Sequence, residues 1–389
     1  MKKKQKGSVI YVNYSPYENS GKILDYLLEN FEIVILFLLN FHELGKAQKP
    51  GQLLIYRKGK IVKKYPLLDL PFRIPLFLTF ILLPVRSLIN LFQILYYAIT
   101  LKNKYGKFNF YFTVNAFTAW IGNILKEINV IDKTIFWVWD YYPPKHENWT
   151  IRVMRKIYGF FDKIALRSDR VIFVNDRMIR LKRQIGLLIK NKKYPVVSIG
   201  TEKVKYKKND NKDLSKVKFG FIGVLKKSQG LEIVLENAEE IIKHFPGASY
   251  EIIGSGPDEN LYKKMAKSSP ILVKFYGYVQ DSLLNKVLSK CHIGIATYVP
   301  SESNLSAYGD PGKVKRYLTL GIPVIAPDVF EFSSVIREAK AGIIVDYYKR
   351  SELINAVRTI IENYNEYSQN AYKLGAKFYY KEIYPKLFK

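Results

Sequence analysis

The sequence predicts two α/β domains, each a parallel β-sheet covered by helices on both faces. Three observations carry this. A strand–helix–strand rhythm runs from Ser8 to Asp176, and a second one starts at Val217. Between them, "GTEKVKYKKNDNKDLSK" (Gly200–Lys216) is charged and nearly free of apolar periodicity, as a linker would be. The chain has 389 residues and 48% hydrophobic content, enough for two cores of ordinary size. The expected division is an N-terminal domain at 1–200, a linker at 201–216 and a C-terminal domain at 217–365. A last helix at 366–389 is expected to pack back on the N-terminal domain.

In the first half, "SVIYVN" (Ser8–Asn13) reads as a strand, "SGKILDYLLENF" (Ser20–Phe31) as a helix and "EIVILFLL" (Glu32–Leu39) as a second strand. The pattern resumes with "FNFYFTVN" (Phe108–Asn115), "AFTAWIGNILKEI" (Ala116–Ile128) and "TIFWVWD" (Thr134–Asp140). A helix rich in Lys and Arg follows, then the strand "RVIFVND" (Arg170–Asp176). The second half repeats the architecture, not the sequence. "VKFGFIG" is a strand, "GLEIVLENAEEIIKHF" a helix, and "SYEIIG", "VKFYG", "HIGIATY", "IPVIA" and "AGIIVD" are strands. In open parallel sheets ligands bind beyond the carboxyl ends of the strands, where the loops with unusual chemistry lie. One such loop is "GSGP" (Gly254–Pro257). It does not complete a dinucleotide-binding G-x-G-x-x-G, because position 259 is Glu.

The net charge of +28 predicts attraction to an anion: nucleic acid, an acidic membrane surface or a phosphorylated substrate. No nucleic-acid motif or aromatic–basic repeat is present, so nucleic acid is not an expected partner. The single cysteine, Cys291, excludes an internal disulfide framework and suits a reducing compartment. No signal peptide is visible at the N-terminus, so a cytoplasmic location is expected. From Ile74 to Leu101 the only charged residue is Arg86. Pro75 and Pro84 argue against one straight spanning helix there. The expectation is peripheral contact of 74–101 with a membrane, the cationic surface facing acidic lipid.

"YGDPGKVKRYLTLGIPVIAPD" (Tyr308–Asp328) sets a problem. Asp310 suits an N-cap and Pro311 a first helical residue. Val314, Tyr317, Leu318 and Leu320 recur at helical spacing, and Gly321 ends the helix before the buried strand Ile322–Ala326. Yet the helix opens with Lys313, Lys315 and Arg316, although the macrodipole makes its N-terminus positive already. Cations gathered there suit an arriving phosphate; a solvated face is the alternative reading.

Four stretches in order carry a family resemblance: "FIGVLKKSQGLEIVLENAEEI" (Phe221–Ile241), "IIGSGPDENLYKKM" (Ile252–Met265), "FYGYVQDSLLNKVLSKCHIGIATY" (Phe275–Tyr298) and "DPGKVKRYLTLGIPVIAPD" (Asp310–Asp328). Together they resemble the retaining glycosyltransferases of family 4, part of the glycosyl transferases group 1. The resemblance implies the GT-B fold, two Rossmann-like domains facing each other across a cleft. It implies transfer of a sugar from a UDP- or GDP-sugar to a lipid-linked or polymeric glycan, with retention. The nucleotide sugar would be a co-substrate; no cofactor is implied. No metal is implied either, and the chain has no Asp-x-Asp pair to hold one. The alternative is a non-catalytic GT-B-fold subunit or sugar-nucleotide-binding protein.

The same resemblance implies the site. Lys313 would stabilise the departing diphosphate, supported by Lys226 and Arg316, with Lys227 following in the same donor-binding loop. Gly223 would let the backbone approach the donor, and the loop with Gly254 and Gly256 would line the nucleobase side. Asp310, Gly312 and Tyr317 complete the donor-binding set. Asp140, at a strand end in the first domain, would position the acceptor or the transferred sugar, with Tyr141, Tyr142 and Trp149 as candidates for stacking on sugar rings. The chain also departs from the family pattern. Val224 and Gln229 stand where basic residues are common, and Tyr308 and Arg316 where glutamates are. Arginine has no acceptor, so Arg316 cannot accept a hydrogen bond from a ribose hydroxyl.

Overall fold

The computed structural model describes residues 5–14, 20–39, 51–68, 76–204, 213–301 and 304–389. They form two units, Met1–Ser198 with Tyr380–Lys389, and Ile199–Tyr379.

The first unit is built from β1 (Gln5–Asn13), α1 (Ile23–Asn30), β2 (Phe31–Leu38), β3 (Gln52–Arg57), β4 (Lys60–Pro66) and α2 (Leu76–Tyr105). β5 (Phe108–Thr113), α3 (Ala116–Glu127), β6 (Ile131–Val138), α4 (Trp149–Ala165), β7 (Arg170–Phe173) and α5 (Asp176–Gln184) follow. The sheet order is β4-β3-β2-β1-β5-β6-β7. All neighbours are parallel except the β2–β3 and β3–β4 pairs, which close one edge antiparallel. Successive strand residues face opposite sides. Ile10 and Val12 of β1 therefore pack under α2 and α3 with Ile94, Ala98 and Ile121, while Tyr11 turns to the other face, 5.4 Å from the Phe112 ring.

That second face receives the end of the chain. α14 (Tyr380–Ile383) leads to Tyr384 and Phe388. Phe388 lies 5.2 Å from Phe31 and 5.5 Å from Phe112, and Tyr384 lies 5.4 Å from Trp137, measured between ring centroids. The Arg170 guanidinium donates to the carbonyls of Lys386 and Lys389 at 2.8 and 2.6 Å. Residues 366–389 therefore do not act as one helix. Only Tyr380 onward joins this unit. α13 (Tyr364–Ala376) stays with the second unit, because its small Gly375 lets the helix lie directly on α10 (Gly312–Thr319); a Cβ there would meet the Thr319 nitrogen at 2.5 Å.

α2 runs unbroken through Pro84, against the sequence expectation. A proline removes one hydrogen bond; here the helix is held beyond it by Asn90, Ile94, Ala98 and Leu101, all buried. Ile74 and Pro75 lie outside the described residues.

The second unit contains β8 (Lys218–Ile222), α6 (Glu232–Glu236), α7 (Ala238–His244), β9 (Ser249–Ile253), α8 (Glu259–Lys267), β10 (Leu272–Phe275) and α9 (Asp281–Leu288). After β11 (Ile293–Ile295) come α10, β12 (Val324–Pro327), α11 (Phe332–Glu338), β13 (Gly342–Val345), α12 (Arg350–Glu362) and α13. The sheet is parallel throughout, in the order β10-β9-β8-β11-β12-β13. Winding reverses between β8 and β11, so a crevice is expected above their carboxyl ends. The expected linker at 201–216 begins inside this unit. Thr201 is buried and its hydroxyl meets that of Thr319 at 2.9 Å, while 205–212 lie outside the described residues.

Phe388 is one test of how the tail is held. Phe388→Ala empties the centre of the aromatic cluster and is expected to cost ~3–5 kcal/mol, as for other buried Phe truncations. Denaturant melts of the full chain, followed by tryptophan fluorescence, read this; an unchanged midpoint would mean the tail is not part of the core.

Candidate functional site

The switch point of the second sheet collects three segments: the loop after β8 (223–230), the loop after β11 (296–301) and the start of α10. Their backbones are pinned before any ligand arrives. Gly223 N donates to the Ile253 carbonyl, and Leu225 N to the Ser255 carbonyl, both at 3.0 Å. Gly223 sits at φ +142 and Gly254 at φ +133, conformations that favour glycine. Gly254 has a second constraint: a Cβ would fall 1.9 Å from the Gly223 oxygen. Gly256 is held by the same packing, its Cβ position 2.4 Å from the Leu225 oxygen. Gly254 and Gly256 thus shape the crevice by letting two loops touch.

α10 sorts its three cations into different jobs. Lys315 is fully buried and ion-paired with Asp310. Asp310 also accepts from Ile199 N at 2.6 Å. Asp310 therefore is not the N-cap that its position suggested; Pro311 holds that position, without a side-chain cap. Arg316 bridges Glu202 at 2.6 Å and Asp281 at 2.7 Å. Two carboxylates therefore already compete for the Arg316 charge, which weakens the reading of it as a phosphate ligand.

Lys313 differs from both. Among the described residues no carboxylate lies within ion-pair reach of it. Its ammonium sits over the Phe221 ring at 4.3 Å and the Tyr298 ring at 4.4 Å, and donates to Gln229 Oε1 at 2.7 Å. The residue is partly buried, so solvent, or a ligand, can still reach it. Burial, with the nearby charge of exposed Lys226, pushes its pKa down to about 7. A Cβ on Gly223 would touch this ammonium at 3.4 Å. The glycine therefore keeps the approach to Lys313 open, and Gly312 at the helix start has open space around it. Lys227 is exposed and tied at its backbone N–H to Asp258, 2.8 Å.

Tyr317 is a brace, not a ligand contact. It is fully buried. Its hydroxyl accepts from Ile222 N at 2.9 Å and donates to the Ile295 carbonyl at 3.2 Å, tying β8 to β11 under the crevice. The residues that sequence reasoning missed are Phe221, Tyr298 and Gln229. The two rings end a strand and follow one, where apolar residues read as core. Gln229 was visible only as a departure from a basic pattern.

In the first unit, Asp140 follows β6. It is exposed and accepts a hydrogen bond from the Tyr142 hydroxyl. Desolvation by the surrounding protein raises its pKa above the usual carboxylate value, while the Lys182 ammonium and Tyr142 pull it down. The Tyr142 ring stands edge-on to Tyr158, centroids 4.6 Å apart. The Arg155 guanidinium holds the Pro143 and Lys145 carbonyls, each at 2.7 Å, and so fixes the loop that carries Asp140. Among the described residues, no group of three or more His, Cys, Asp or Glu side chains is placed to hold a metal ion.

Arg316→Ala tests its reassignment. It should lower stability by ~1–2 kcal/mol by stranding two partly exposed carboxylates and leave anion binding at Lys313 intact. Calorimetry with inorganic pyrophosphate beside a thermal melt separates the two effects; lost binding at an unchanged melt would restore the phosphate role.

Residues 216–363 match the family model described as glycosyl transferases group 1, a span that contains all of the switch-point loops. Among solved structures, sucrose-phosphate synthase from Thermosynechococcus elongatus matches 98% of this chain and 99% of its own, at 16% identity and TM-score 0.67. Anabaena HepE in complex with UDP matches over 98% of both chains, at 14% identity and TM-score 0.65. S. aureus TarM is matched over 72% of this chain, which spans 55% of TarM's length, at 14% identity and TM-score 0.53. No curated protein matches the chain. At these identities the likeness carries the fold. The chain accordingly has the GT-B fold of these structures, and its residues 216–363 carry a glycosyl transferases group 1 domain.

Proposed function

We propose that the protein is a retaining glycosyltransferase of family 4 that moves a sugar from a UDP- or GDP-sugar to a hydroxyl of a lipid-linked or polymeric glycan. One observation carries this reading: a partly buried ammonium, Lys313, without a carboxylate partner among the described residues, at a helix start above the β8–β11 switch point. When the sugar C1–O bond breaks, the electron pair stays with the nucleotide diphosphate. Stabilising that charge in a pre-organised site is the main demand of the step. Lys313 and the amides opening α10 meet it, with exposed Lys226 adding to the local field; the reading needs no metal. HepE solved with UDP-glucose and pneumococcal GtfA solved with UDP and GlcNAc support a uridine donor. Asp140, in the first unit, is assigned to orient the acceptor hydroxyl or the transferred sugar through hydrogen bonds.

The charge of +28 and the apolar α2 support a location at the cytoplasmic face of a membrane, where lipid-linked acceptors reside. A second reading, a sugar-nucleotide-binding subunit without catalysis, is favoured by one observation: Gln229 stands in place of a second cation beside Lys313.

Calorimetry against a panel of UDP- and GDP-sugars, followed by product analysis with glycan acceptors, separates these. Micromolar binding with transfer supports the enzyme, binding alone the subunit, and neither defeats both. Lys313→Ala is expected to lower transfer by at least ~10-fold, the scale of a lost charge contact to the leaving group, with little change in melting temperature.

The lowered pKa also fixes a pH dependence. In the free protein Lys313 loses its proton near pH 7, and a bound diphosphate raises its pKa. Binding of a UDP-sugar, whose diphosphate has no ionisation near neutrality, should take up a proton, be tightest below pH 7, and weaken as pH rises through 7 and above. Calorimetry in buffers of different ionisation enthalpy measures that uptake; pH-independent affinity from 6 to 9 would remove Lys313 from the phosphate contact.

A further inference from the structure

α2 presents Ile81, Val85, Leu88, Phe92, Tyr96 and Ile99 at steps of three and four residues, each 41–65% exposed. These positions form one stripe along a helix. The opposite face of the same helix carries Arg86, Asn90, Ile94, Ala98 and Leu101, all buried in the first unit. By length and hydropathy the segment Ile81–Tyr105 could cross a bilayer. Crossing would strip its inner face from the sheet, so the exposed stripe meets its partner with the helix lying flat.

α2 packs against α3 and α4. α3 is largely covered, and α4 carries a second exposed face with Trp149, Ile157 and Phe160 at 60, 42 and 61%. Exposed Arg152, Lys156 and Lys163 interleave with them. The one acidic residue of α4, Asp162, is buried against Lys182. α4 therefore shows solvent only cations and large apolar groups, and α2 beside it shows an uncharged stripe. Aromatic rings at headgroup depth with Lys and Arg reaching phosphates is the chemistry of an anionic lipid surface.

We propose that the outer faces of α2 and α4 form one surface that docks on an anionic bilayer, α2 lying in the membrane plane and α4 binding the lipid phosphates. This deepens the membrane location proposed above by naming the second helix and the lipid charge. A second copy of the chain fits the surface less well. A self-complementary two-fold contact would bury Arg152, Lys156 and Lys163 with no acidic residue on the exposed faces of α2 and α4 to meet them. The net charge of +28 adds long-range attraction to an acidic leaflet.

The test is flotation of the full chain with phosphatidylcholine vesicles, with and without phosphatidylglycerol. No donor is added, so failure here leaves sugar transfer standing, and failed transfer leaves docking standing. The chain should float with the anionic vesicles only, and release as salt shortens the Debye length to ~3 Å near 1 M. K156E/K163E should weaken partition by more than ~10-fold, and F92S/F160S should do so without reversing charge; all four side chains are exposed, so both variants should melt like wild type. Equal flotation with neutral vesicles overturns the proposal, as does recovery in the soluble fraction. So does unchanged flotation of K156E/K163E. A stable dimer that F92S dissociates, without flotation, assigns the face to a second copy, and resistance to salt and carbonate washes points instead to a span.

Discussion

The crevice at the switch point of the second sheet is arranged around one ammonium with no carboxylate within ion-pair reach among the described residues. A lysine in a protein interior ordinarily finds an acid, as Lys315 finds Asp310 and Lys182 finds Asp162. Lys313 instead is held by two ring faces and an amide oxygen. Ring quadrupoles and a neutral acceptor stabilise a cation only partly. Its protonated form is therefore only weakly favoured, and burial pushes its pKa down to about 7. An anion that enters completes the interaction that folding leaves unfinished.

Keeping that arrangement requires a rigid α10, and most polar residues around the helix serve this. Lys315 also donates to the Ile199 carbonyl at 3.0 Å, so the helix is pinned to the chain entering the unit. Thr319 meets Thr201, Arg316 clamps Glu202 and Asp281, and the Ser368 hydroxyl reaches the Gly321 carbonyl at 2.7 Å. Tyr317 ties the helix down to β8 and β11. Each of these groups is satisfied within the unit, which separates scaffold from site more sharply than residue type does.

That distinction was only partly legible in the sequence. The strands, the glycine turns and the position of Lys313 at a helix start follow from local patterning, and the order of motifs carried the fold. What failed was assignment among similar side chains. Asp310 has the type and place of an N-cap, and Arg316 the type of a phosphate ligand. Asp310 was claimed by nearby Lys315 and by distant Ile199, and Arg316 by distant Glu202 and Asp281, contacts that no local pattern reveals. The tail gave the same lesson. Nothing near residue 376 marks the point where the chain leaves the second unit, because the cause is the aromatic face of Tyr11, Phe112 and Trp137, hundreds of positions upstream. Pro84 misled in the opposite direction, since tertiary burial of α2 outweighed one missing hydrogen bond.

Gln229 departs from the family pattern yet makes a specific contact in the crevice. A basic residue there would raise the charge of the crevice but also repel Lys313. The amide accepts from Lys313 with its oxygen and turns its nitrogen to the Ser306 hydroxyl at 3.3 Å. It therefore orients the ammonium without neutralising it. A neutral ligand offers Lys313 little beyond what the amide already provides, whereas a doubly charged phosphate ester offers a charge-assisted bond roughly twice as strong. On the proposed function, Gln229 leaves the contrast between a carbonyl and an anion to be read by Lys313.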